Sequence, residues 1–126
     1  MTALSPRRSS LYVIIVEAKE SGGTEMLLRQ FRLTVHESKA EEFETIFRDQ
    51  ILPLVKSQDG LIWVAAGKPW RDDPNAFCMT MLWRDLASIK AFAGDNWLEA
   101  RIEPEERDLI ASASIEHFEL LGEVGP

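Results

Sequence analysis

His117 lies in "IEHFEL" (residues 115–120), on the same side of an extended chain as Ile115 and Leu121. Imidazole changes charge near neutral pH, so a histidine facing an apolar interior is a candidate general acid or base. The plainer alternative is a ring packed at the strand surface and bonded to a neighbour. His36 closes a strand beside a helix start, where exposure to solvent is expected. His117 and Glu119 share one strand face and could supply two metal ligands. No third ligand stands at a recognisable spacing, so no metal is expected. Arg32 and Arg101 could hold a phenolate or a carboxylate, or pair with acids at the surface. Trp63, Trp83 and Trp97 are candidates for the wall of a pocket that takes a flat molecule, with plain core packing as the alternative. Nothing matches G-x-G-x-x-G, a Walker loop, H-E-x-x-H or G-x-S-x-G, so no bound cofactor is expected.

These side chains are far apart in sequence and need a scaffold to converge. Over residues 27–36, Leu27, Phe31, Leu33 and Val35 alternate with Gln30, Arg32 and Thr34, which predicts a strand. Ser38 with Glu41 predicts a capping box. Phe43, Ile46, Phe47, Ile51, Leu54 and Val55 then mark the apolar face of one long helix. Pro53 removes an amide donor inside it, so a kink or loosening is expected there, and Gly60 suits a left-handed helix end. Strands are expected over 61–67 and 76–84, with a loop between them. Asp85 should cap a short helix through Leu86, Ile89, Phe92 and Ala93, which Gly94-Asp95-Asn96 ends. That break would let Trp97 and Arg101 close one end of a pocket beneath Trp83. Pro104 should open a further helix to about Ala111, before a last strand over 114–121.

The order strand-helix-strand-strand-helix-strand predicts an α+β, ferredoxin-like βαββαβ fold. The second and third strands are apolar on both faces: Leu61, Trp63 and Ala65 lie opposite Ile62, Val64 and Ala66, and Cys78 and Leu82 opposite Phe77, Met79 and Met81. The helices can cover one face only, so a homodimer is expected to cover the other.

A chain of 126 residues suits one core. Its formal charge of −7 argues against nucleic acid and against an anionic membrane surface as partners. No apolar run approaches the roughly 20 residues that span a bilayer. Cys78 is the only cysteine, which suits a reducing, cytoplasmic setting. Residues 1–25 read as an extension carrying an extra strand over 11–16, and residues 26–126 as the domain proper.

The stretches "ILPLVKSQDGL", "MLWRDLASIKAFAG", "IEPEERDLI" and "IEHFEL" resemble the antibiotic biosynthesis monooxygenase-like family of dimeric α+β barrels. "AFAGDNW", "EPEE" and "EHFE" together are more similar to an uncharacterised branch of it. The resemblance implies a barrel of two protomers packed sheet to sheet, each with a pocket between sheet and helices. The activity it implies is cofactor-independent oxygenation of a small aromatic or quinol-like substrate; Trp83 answers to a tryptophan of such relatives, and with His117, read from its strand, it is expected in a catalytic role. Trp63, Phe92, Trp97, Arg101 and Arg32 would then contact the substrate. Haem-degrading relatives carry an Asn, a Trp and a His ligand where this chain has Gln30 or Arg32, Phe92 and Arg101. Arginine cannot ligate iron, so haem is not expected. The phenol-binding tyrosine of monooxygenase relatives has no counterpart, since Tyr12 lies outside the matching stretches. The alternative is a non-catalytic dimeric small-molecule-binding or stress-associated protein of the same fold.

Overall fold

A computed structural model of the chain describes residues 25–123; the strand expected over 11–16 lies outside them. The alternating segment Leu27–Val35 is β1, with Leu33 and Val35 buried. The long apolar face becomes α1 (Ala40–Ile46), a π-helical stretch (Phe47–Ile51) and α2 (Leu52–Lys56). Strands β2 (Leu61–Gly67) and β3 (Ala76–Trp83) follow, then α3 (Leu86–Ala93) and β4 (Ile110–Glu119). The four strands form one antiparallel sheet in the order β2-β3-β1-β4, which is the ferredoxin-like arrangement.

Cross-strand pairing decides which side chains share a face. Arg29 pairs with Met81 and His117, Phe31 with Met79 and Ile115, and Leu33 with Phe77 and Ala113. These residues face the helices, and Leu33, Phe77, Met79 and Met81, with Phe31 and Ala113 against them, meet Phe43, Phe47, Val55 and Ile89 in the core. Phe43, Phe47 and Phe77 form its centre, with ring centroids 4.9–5.8 Å apart. The even-numbered residues of β1 and β3, and those of β4 from Ser112 on, face the other way; Ile110, which pairs with Val35 past a register shift, is buried on the helix side. In β2 the register shifts between Leu61 and Trp63, so Leu61, Val64 and Ala66 face the helices, while Trp63 and Ala65 oppose Leu82 and Thr80 on the open face. The bulge breaks the strict alternation that the sequence suggests for this strand.

The helix runs through Pro53 because its last turn is reset upstream. The Leu52 amide donates to the Phe47 carbonyl, five residues back, and Pro53 then occupies the first turn of α2, where no amide is required. The expected loosening is therefore a widened turn before the proline. The expected capping box does not form: Ser38 sits in the left-handed region at φ 68°, and the helix begins after Lys39. The segment after Pro104 is a single 3-10 turn, Pro104–Glu106, and β4 begins at Ile110, inside the stretch expected to be helical.

Gly60 has φ +87°, yet it leads into β2 rather than ending α2, which stops at Ser57. It also sits against α3, since a Cβ there would lie 2.1 Å from Ser88 Oγ. Asp85 caps α3 as expected, accepting from the Ser88 amide at 2.9 Å and its hydroxyl at 2.7 Å.

Trp83 has no exposed surface, and its ring lies 5.2 Å from that of Phe92. Its buried indole N–H has no hydrogen-bond partner among the described residues. Trp83→Ala should lower unfolding free energy by about 3–5 kcal/mol, whereas Trp83→Phe, which also removes the orphan donor, should cost under about 2 kcal/mol. Urea unfolding measures both, and equal losses would contradict this account of the indole.

Candidate functional site

Position 29 belongs to the inward side of β1, between Leu27 and Phe31, yet carries a guanidinium. Arg29 is only 6% exposed. Its Nη1 donates to the Trp97 carbonyl at 2.7 Å and lies 2.8 Å from His117 Nε2. Pairing across β1 and β4 sets Arg29 directly beside His117, and the break after α3 delivers the Trp97 carbonyl. The Trp97 ring packs edge-on against the His117 imidazole, with centroids 5.1 Å apart.

Burial lowers the Arg29 pKa to about 10, which leaves it charged at neutral pH. The His117 pKa is lowered from its ordinary value, first by burial and then by the Arg29 charge. Neutral His117 can accept from Arg29 at Nε2, with its remaining proton on Nδ1. A cation 2.8 Å from Nε2 opposes metal binding at that nitrogen, and among the described residues no three His, Cys, Asp or Glu side chains converge.

Arg29 forms part of the wall of a cavity of about 220 Å³ between sheet and helices. Phe31, Met79 and Met81 floor it, Phe43, Phe47, Ile51, Leu54 and Val55 cover it, and Phe92, Arg101 and Glu106 lie at its sides. The π-helical stretch and α2 supply Ile51, Leu54 and Val55, so the irregular helix shapes this wall. Arg101 pairs with Glu103 at 3.5 Å, and the Glu106 carboxylate accepts from the Glu103 amide at 3.0 Å.

Of the residues expected at the site, Phe92 and Arg101 line this cavity. Trp97 and His117 stand behind Arg29 and act on the cavity through it. Three expectations need correction. Trp83 is sealed in the core beneath Phe92 and is not part of the cavity wall. Trp63 faces the opposite side of the sheet because of the β2 bulge. Arg32 pairs with Cys78 and Ser114 on that same open face. The missed residue is Arg29. Its signal was present, as a charge occupying the apolar phase of an otherwise regular strand.

The sequence profile described as antibiotic biosynthesis monooxygenase matches residues 26–105. Among curated proteins, none matches the chain. Among solved structures, a protein of unknown function from Nitrosomonas europaea is 24% identical with a TM-score of 0.64, over 83% of this chain and 98% of that one. SnoaB, a cofactor-independent oxygenase from Streptomyces nogalater, is 21% identical with a TM-score of 0.59, over 81% and 99%. A Pseudomonas aeruginosa protein is 21% identical with a TM-score of 0.62, over 78% and 96%. At these identities the likeness establishes the fold.

The His117 shift has a signed consequence for stability. The native protein favours neutral imidazole, whereas the unfolded chain takes up a proton near pH 6.5. Stability should be unaffected by this group above about pH 6.5 and should fall as pH drops from there toward the lowered native value. His117→Gln keeps an acceptor for Arg29 without titrating. Urea midpoints at about pH 7.5 and about pH 5 should therefore separate less in the variant than in the wild type. Equal separation would show that His117 is not held neutral.

Proposed function

The chain belongs to the antibiotic biosynthesis monooxygenase family, and on that premise we propose that it is a small cofactor-independent monooxygenase acting on an aromatic or quinol-like molecule. One observation carries the reading: an apolar cavity between sheet and helices with a buried guanidinium in its wall. SnoaB, a cofactor-independent oxygenase of the same fold, favours the same chemistry. A deprotonated phenol or quinol is electron-rich enough to pass an electron to dioxygen. The protein then has to bind it, exclude water and take up its proton. Arg29 offsets the negative charge that develops as the substrate loses its proton, while His117 and the Trp97 carbonyl orient Arg29. In this reading Phe31, Met79, Met81 and Phe92 exclude water, and Glu106, which lines the cavity and accepts from the Glu103 amide, is assigned to take the proton. A binder without turnover is the second reading, favoured by the engagement of His117 with Arg29, which leaves no free imidazole in the cavity wall.

The partner in this reading is a second copy. Trp63 at 38% and Phe118 at 46% remain exposed on the open face of the sheet, near Leu28 and Ala65. Covering even about 600 Å² of such a face contributes roughly 15 kcal/mol before the losses of association. No helix among the described residues is long and apolar enough to cross a membrane, and the setting proposed is cytoplasmic.

Oxygen uptake with one- and two-ring hydroquinones and polyphenols tests the activity. Arg29→Met should lower kcat/KM by roughly a hundred-fold. Binding without any oxygen consumption would select the second reading. Light scattering should give about twice the 14.3 kDa protomer mass, and Trp63→Glu should shift it toward one protomer; a wild-type monomer would remove the dimer.

A further inference from the structure

Arginine has five N–H donors, two of them on Nη1. In Arg29 both bonds formed among the described residues use Nη1, one to the Trp97 carbonyl and one to His117 Nε2. Both acceptors are neutral. The ion pairs among the described residues involve Arg48, Lys68, Arg84, Arg101 and Lys39, all more exposed, and none reaches Arg29. The buried cation therefore meets no anion there. Its Nε and Nη2 edge, with parallel donors, is the uncommitted side of a group that lines the cavity.

A desolvated charge favours an opposite charge over a neutral dipole, and the Nε/Nη2 edge matches the two oxygens of a carboxylate. A lone phenolate oxygen would leave that fork partly unused. Size narrows the rest: an apolar cavity of about 150 Å³ accommodates benzene, so one of about 220 Å³ suits one or two rings. We infer that the cavity takes a one- or two-ring aromatic acid whose carboxylate sits on the Nε/Nη2 edge of Arg29 while its ring lies against Phe31, Met79 and Phe92. This rests on the cavity being the substrate site and names the group that anchors the substrate. His117 and the Trp97 carbonyl are positioning groups, because they turn the guanidinium so that this edge is presented.

Calorimetric titration of the full chain with 1-naphthoate and with 1-naphthalenemethanol tests the inference without requiring turnover. The acid should bind about ten-fold or more tightly than the alcohol, as expected for charge-assisted hydrogen bonds. Arg29→Met should abolish the preference, and Arg29→Lys should retain part of it, since it keeps the charge and loses the fork. Equal affinity of wild type for acid and alcohol would overturn the inference, as would a preference that survives in Arg29→Met. The wild-type comparison decides even where a variant fails to fold. Acid-selective binding without oxygen uptake would remove the oxygenase reading and leave this one. Oxygen uptake on neutral quinols with no acid preference would do the reverse.

Discussion

A guanidinium enclosed between a sheet and its helices is the most demanding group in this protein. Removing such a charge from water costs several kcal/mol unless its donors are met. Arg29 meets two acceptors drawn from separate parts of the chain, the Trp97 carbonyl after α3 and the His117 imidazole on β4. Burial, and after it the Arg29 charge, lowers the His117 pKa, and the Trp97 ring packs against the same imidazole. The far end of the sheet, the segment after α3 and the electrostatics of the cavity therefore depend on one side chain. An apolar residue at that position would suit the core at least as well, so the charge there is not explained by packing.

The sheet gives its two faces different tasks. On the helix side, Phe43, Phe47 and Phe77 pack ring against ring, and Phe43 and Phe47 also cover the cavity that stays open next to Arg29. On the other side, Trp63 and Phe118 stay partly in water. The bulge in β2 sets this division, because it moves Val64 to the helix side and turns Trp63 away. One additional residue in a strand thus decides whether a tryptophan belongs to the pocket or to the surface that a second copy would cover.

Irregular backbone does comparable work in the helical layer. The π-helical turn absorbs the missing amide of Pro53 and carries Ile51, Leu54 and Val55 over the cavity. At the other end of the sheet, Gly60 lets β2 approach α3 so closely that Ser88 occupies the space a Cβ would need. Asp85 then uses both the amide and the hydroxyl of Ser88, and these bonds, with Arg84 nearby, hold its carboxyl below the usual range.

Local sequence determined the order of the elements, the inward phase of β1, the Asp85 cap and the left-handed conformation at Gly60, because each depends on periodicity or on near neighbours. Of these, Asp85 and Gly60 lie in the stretches that carried the family resemblance. Ser38 shows where that reach ends: its type and spacing suit a cap, but the turn out of β1 takes its backbone into the left-handed region. The choice of Arg29 over Arg32 as the cavity's cation needed only the strand's phase, and it was legible as a charge in an apolar slot. The bond partners of Arg29, the bulge at β2 and the sealing of Trp83 beneath Phe92 were not legible. The first joins groups 68 and 88 residues apart, the second turns on a single extra residue in a strand, and the third depends on how α3 packs on the sheet, so only tertiary packing fixes them.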